Sequence, residues 1–197
     1  MFTGLVEEMG KVRELKTVEN DGVEMTIECS LVLEGVQLGD SIAINGTCLT
    51  VIKFDTESFS VGLAPETLRK TSLGEVQFGS SVNLERSVTP STRMGGHFVQ
   101  GHVDGTGTIV SFEPENDSLW VKIKTSPELL KYIVPKGYIA VDGTSLTVVK
   151  IFWGSMWRDC FRVTEGLKQA RFCQDESHET LESSCHQLLL RLQYRSL

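Results

Sequence analysis

The chain has 197 residues, of which 40% are hydrophobic and 23% charged, a balance suited to one large folded domain or two of about 100 residues each. No apolar run approaches the roughly 18 residues of a membrane-spanning helix, and a net charge of -7 argues against a nucleic-acid partner, whose affinity rests on clustered Lys and Arg. Five cysteines form neither a disulfide ladder nor a paired zinc knuckle, so a reducing compartment is expected.

In chain order, Met1-Phe-Thr-Gly-Leu-Val reads as a short strand and lacks the basic and apolar regions of a secretion signal. This predicts the cytoplasm, or a plastid stroma after removal of a transit peptide. Val23–Cys29 alternates as a half-buried strand does. A helical turn over Leu31–Val36 and a turn at Gly39-Asp40 lead into Ile42–Lys53. Ser58–Ala64 is a further strand, Pro65–Gly74 a corner, and Ser81–Arg86 the last strand of the module. The polar stretch Ser87–Gly96, with Pro90 and a Gly-Gly end, predicts a linker and a boundary near 97.

Beyond the linker the chain repeats itself. Ile139–Lys150 falls 97 residues after Ile42–Lys53 and is identical at eight of twelve positions. The same offset lays Gly101-His-Val-Asp over Gly4-Leu-Val-Glu and Gly107 over Gly10. Leu119–Lys124 supplies the intervening strand, Pro127–Ile133 the helical turn and Lys136-Gly137 the tight turn. Many short strands with Gly-rich corners predict an all-β chain of two tandem antiparallel barrels, 1–97 and 98–197, each with a mouth able to take a ligand.

Some residues in this pattern can serve a site. Gly4-Leu5-Val6 and Gly101-His102-Val103 let a flat ligand approach the backbone, or else relieve crowding at a corner. Cys48 and Thr50, like Ser145 and Thr147, place two small polar side chains on one strand face. For Cys48, hydrogen bonding or steric fit is favoured over a nucleophilic role, because a lone cysteine is more often an inert buried hydrophobe and the second module has Ser145 at that place. His97 and His102 are the imidazoles nearest a pocket and the candidates for moving a proton, against a surface-turn reading. Glu66-Thr67 suits a polyhydroxyl chain or the first turn of a helix. Lys136 either meets a ligand or stays solvated.

Met1-Phe-Thr-Gly-Leu-Val-Glu-Glu, Asn45-Gly-Thr-Cys-Leu-Thr-Val, Gly95-Gly-His-Phe-Val-Gln-Gly-His-Val-Asp and Asp142-Gly-Thr-Ser-Leu-Thr-Val together resemble the riboflavin synthases of the lumazine-binding repeat family, from residue 1 to about 150. The resemblance implies two six-stranded Greek-key barrels, each binding 6,7-dimethyl-8-ribityllumazine, in a homotrimer, with lumazine synthase as a further partner. It implies transfer of a four-carbon unit between two lumazines, giving riboflavin and 5-amino-6-(D-ribitylamino)uracil, with no cofactor and no metal. Ligand contacts then fall on Gly4, Leu5, Val6, Cys48, Leu49, Thr50, Gly62, Leu63, Ala64, Pro65, Glu66, Thr67, Gly101, His102, Val103, Lys136, Ser145, Leu146 and Thr147. Ser41, Cys48, His97 and His102 match positions implicated in the chemistry. A non-catalytic lumazine- or flavin-binding protein of the same fold is the alternative.

At the same offset Phe59–Arg69 should recur at 156–166, but only Thr164 matches. The second barrel is therefore expected to be incomplete after Phe152, with a divergent tail over 153–197. Cys160, Cys173, His178, Cys185 and His186 are too irregularly spaced for a zinc site. Leu181, Cys185, Leu188 and Leu192 fit one stripe of a C-terminal helix.

Overall fold

A computed structural model describes residues 1–18, 21–116, 118–152, 160–166 and 187–192. The first module contains β1 (Glu8–Thr17), β2 (Val23–Glu28), β3 (Ser41–Ile44), β4 (Thr47–Phe54), β5 (Ser58–Leu63) and β6 (Ser81–Arg86), with the short helix α1 (Pro65–Lys70) between the last two strands. They close into a barrel in the order β1-β2-β5-β4-β3-β6. Strands β3 to β5 form a meander and β6 returns beside β3, which is the Greek-key path.

Alternation decides which side chains enter the barrel. Along β4, Thr47, Leu49 and Val51 are buried while Cys48 is half-buried and Thr50 exposed. Met25, Ile27, Ile44, Phe59, Val61 and Leu84 are buried in the same core, each contributing roughly 1.5–3 kcal/mol by leaving water. These side chains pack the barrel interior, and the half-buried and exposed candidate residues lie on the barrel wall and rim. β1 bulges between Val12 and Glu14, and β4 between Val51 and Lys53. Bulges add the local bend that lets so short a sheet close.

The second module repeats this plan with β7 (Gly105–Glu115), β8 (Ser118–Lys124), the short helix α2 (Pro127–Leu130), β9 (Tyr138–Val141), β10 (Thr144–Phe152), β11 (Cys160–Gly166) and β12 (Gln187–Leu192). Its ring order, β7-β8-β11-β10-β9-β12, matches the first strand for strand. Its bulges, Ile109/Ser111 and Val148/Lys150, also recur at the 97-residue offset.

The region after Phe152 departs from the sequence expectation. The backbone of β11 pairs with β8 and β10, and that of β12 with β7 and β9, so the ring closes. Leu188 and Leu192, assigned by spacing to a helix stripe, lie on the strand β12. A strand there satisfies two open sheet edges at once, which a helix would leave unpaired. Leu181 and Cys185 of that stripe lie outside the described residues, as do Cys173, His178 and His186.

The two modules meet about an approximate twofold axis. Phe2 N–H donates to Val99 O at 2.6 Å and Val99 N–H returns a bond to Phe2 O at 3.0 Å. Phe2, Ala43, Val99 and Ala140 make a small buried cluster between the barrels. The Asn45-Gly46 and Asp142-Gly143 hairpin turns, with φ of 45°, 78°, 44° and 85°, are the left-handed pairs that a tight hairpin requires. They also touch: a Cβ on Gly46 would stand 2.8 Å from Gly143 N, and one on Gly143 2.9 Å from Gly46 N.

Gly46→Ala should therefore lose about 2–5 kcal/mol of stability, combining overpacking with a left-handed Cβ penalty. Gly35→Ala is the control, since Gly35 has φ 74° but open space around it, and should lose only about 1–2 kcal/mol. Urea unfolding of both variants tests this, and equal losses would refute the close-approach argument.

Candidate functional site

Each module's Gly-Thr strand is completed by backbone from the other module. Cys48 N–H donates to Gly101 O at 2.7 Å, and Ser145 N–H donates to Gly4 O at 2.9 Å. Gly101 and Gly4 have φ of 83° and 75°, and a Cβ on either would collide with the Cβ of Cys48 or Ser145 respectively. Of the two sequence readings of these glycines, relief of crowding is the one this geometry meets, and the crowding group is the strand of the other module.

Two composite half-sites result. The first joins Cys48 and Thr50 on β4 to Gly101, His102 and Val103. On β5, Gly62 follows Val61, the partner of Val51, and nothing lies within 4 Å of where its Cβ would stand. Ala64 and Pro65 follow at the start of α1. Ser41 lies directly across from Thr50 on β3. The second half-site joins Ser145 and Thr147 on β10 to Gly4, Leu5 and Val6, with Thr147 facing Thr164 of β11 and Tyr138 of β9.

Three residues named as ligand contacts point the other way. Leu49, Leu63 and Leu146 are 7%, 2% and 3% exposed and belong to the two cores. Contiguous triplets cannot all face a ligand on a pleated strand.

The polar candidates separate clearly. His97 is half-buried, with Nδ1 2.8 Å from Ser145 Oγ, and its ring stacks on Tyr138 at 4.0 Å between centroids and 14° between planes. His102 is exposed. Glu66 sits in the first turn of α1 and accepts from Arg69, whose hydrogen bond and charge hold its carboxyl below the ordinary value. Thr67 lends its carbonyl to Thr71. The helix-turn reading of Glu66-Thr67 thus describes their backbone. Lys136 is exposed at φ 66°, where the first module has Gly39 at φ 91°.

Hydroxyls, strand backbone and one oriented imidazole suit a planar heterocycle with several acceptors and a transferable proton. A family model described as the lumazine binding domain matches residues 3–87 and 100–189. The chain belongs to the lumazine-binding domain family. It is 49% identical over 149 residues to a riboflavin synthase of Actinobacillus pleuropneumoniae, covering 76% of this chain and 69% of that protein. It is 52% identical over 152 residues to a riboflavin synthase of Schizosaccharomyces pombe, covering 77% and 73%. Solved structures of LumP complexed with 6,7-dimethyl-8-(1'-D-ribityl) lumazine and with riboflavin share the fold, with TM-scores of 0.79 and 0.81 at 21% and 22% identity. These likenesses cover 98% of this chain and 99% and 100% of those chains.

One residue beside these half-sites was not singled out from sequence. Glu85 on β6 is buried, and its carboxylate accepts from Thr3 N–H at 2.6 Å, Thr3 Oγ1 at 2.8 Å and Gly4 N–H at 3.1 Å. It braces the segment that Gly4 lays against Ser145. Glu85 lies across from Ala43, and the corresponding place across from Ala140 is held by Arg191. The only sequence signal was a charge inside the strand Ser81-Val-Asn-Leu-Glu-Arg86.

Burial pushes the Glu85 carboxyl above its ordinary value, against the pull of the hydrogen bonds from Thr3 and Gly4. The native chain then keeps this proton to higher pH than the unfolded chain, so stability falls as pH rises through that interval. Glu85→Gln should flatten this part of the pH–stability curve and cost about 1–3 kcal/mol near neutrality by spoiling the acceptor for Gly4 N–H. Urea unfolding at a series of pH values decides it, and parallel curves for the two proteins would refute the assignment.

Lys136→Gly should stabilise the chain by about 0.5–1 kcal/mol, the left-handed penalty of roughly 1–2 kcal/mol less the chain entropy of a new glycine. The backbone bond from Lys136 N–H to Val148 O at 2.7 Å survives the change. A fall in thermal stability would show that the side chain makes a contact worth more than its strain.

Proposed function

We propose that this protein is a riboflavin synthase that binds 6,7-dimethyl-8-ribityllumazine at both half-sites and transfers a four-carbon unit from one lumazine to the other. The products are riboflavin and 5-amino-6-(D-ribitylamino)uracil. The observation that carries this reading is the duplicated composite half-site in a chain about half identical, over its matched residues, to riboflavin synthases of two organisms. A reaction between two identical substrates needs two similar cradles held in fixed relation, because orientation removes much of the entropic barrier.

In this proposal the backbone that follows Gly4 and Gly101, at Leu5-Val6 and His102-Val103, and the hydroxyls of Thr50 and Thr147 hold the flat rings, and Gly62 leaves room for one of them. Ser41 and Cys48 border the first ring. His97 and Ser145 form the pair that takes up and returns the proton of the second. His102 lies on the rim of the first half-site, and its place in proton transfer is secondary to that of His97. A homotrimer would bring half-sites of neighbouring copies face to face, and lumazine synthase would supply the substrate.

The test is to mix the purified chain with dimethylribityllumazine and follow ligand binding and riboflavin formation together. Both are expected. His97→Ala should lower turnover about 100-fold, at the scale of a lost general acid–base group, while leaving binding at the Cys48 half-site intact. Tight binding without any riboflavin from the unmodified protein would replace this reading with that of a non-catalytic binding protein.

A further inference from the structure

The two half-sites share a backbone plan but not a side-chain plan. In the second, Ser145 Oγ lies 2.8 Å from His97 Nδ1, and the far side of that contact is held by Tyr138, stacked on the imidazole at 4.0 Å and 14°. Tyr138 is fixed in turn: it begins β9, pairs with Thr147 of β10, and its hydroxyl donates to Phe98 O at 3.4 Å. Phe98 is the residue after His97, so one tyrosine holds both the ring and the backbone of this short segment. At the matching points of the first module stand Ser41 for Tyr138 and Cys48 for Ser145, each 97 residues earlier. That half-site therefore has a serine in place of the stacking tyrosine and a thiol where the second has a hydroxyl.

We propose that Tyr138 is a positioning residue: it holds His97 in one orientation on Ser145, and so makes the second half-site the one in which proton transfer occurs. The proposal rests on the riboflavin synthase reading for its consequence but not for its geometry. A half-buried imidazole carrying a single side-chain hydrogen bond can turn about its Cα–Cβ and Cβ–Cγ bonds. A stacked ring blocks that rotation at little entropic cost, because tyrosine itself has only two torsions to fix and both are set by strand packing. The bond between Ser145 and His97 then exists before the ligand arrives, which is the condition under which an acid–base group is most effective.

The experiment compares the full chain with Tyr138→Ser, which copies the first module, with Tyr138→Leu, which keeps apolar bulk without a stacking face, and with Tyr138→Phe. Histidine-selective 15N spectra of the ligand-free proteins report which imidazole nitrogen carries hydrogen and how uniformly. The unmodified protein and Tyr138→Phe should show one dominant His97 tautomer, and Tyr138→Ser and Tyr138→Leu a mixture. Riboflavin formation should fall about tenfold in kcat for the Ser and Leu variants with KM changed by less than about threefold, and Tyr138→Phe should recover it. A His97 spectrum that is the same in all four proteins overturns the proposal, as does a loss confined to KM. If the unmodified protein makes no riboflavin, the functional reading fails, and the 15N spectra still decide whether Tyr138 orients His97.

Discussion

The contact on which the rest of the molecule depends is the mutual approach of two hairpin turns and two N-terminal segments about one approximate twofold axis. Gly46 and Gly143 touch through backbone alone, and Phe2 and Val99 exchange a pair of hydrogen bonds. Because the segments cross over at that axis, Gly4 reaches Ser145 and Gly101 reaches Cys48. Neither barrel owns its half-site. A composite surface of this kind cannot be assembled from one module, and any change that parts the turns also withdraws a wall from each half-site.

Much of this was legible in the sequence because the governing constraints are local. Asn45-Gly46 and Asp142-Gly143 announce tight hairpins, alternation marks β2, β4, β8 and β10, and one offset relates the modules. The loss of the repeat after Phe152 was a matter of register. β5 pairs Val61 with Val51, whereas β11 pairs Val163 with Val148, so the offset grows from 97 to 102 residues. At the longer offset Phe59-x-Val61 recurs as Phe161-x-Val163, which a search at fixed spacing passes over. β12 resembles β6 in place but hardly in composition, and only pairing with β7 and β9 identifies it.

The site was harder to read than the fold. Side chains that meet through space leave no spacing rule, so the contacts of His97 with Ser145 and Tyr138 and of Glu85 with Thr3 and Gly4 have no signature along the chain. Leu49, Leu63 and Leu146 fall in the opposite class. Their neighbours do face outward, and it is the period of two along a strand that sends the residue between them into the core.

Comparison of equivalent positions separates what the duplication must keep from what it may change. The pairs Gly4/Gly101, Gly46/Gly143 and Ala43/Ala140 stay identical because a larger side chain on either would strike the opposite module. Ser41/Tyr138, Cys48/Ser145, Gly39/Lys136 and Glu85/Arg191 differ, and at the one pair among them where the backbones meet, Cys48/Ser145, the change is between two small side chains. In the proposed reaction two ligands of one kind play two roles, and unequal side chains let the two half-sites treat them differently. A shared backbone frame with divergent side chains supplies that inequality without disturbing the axis.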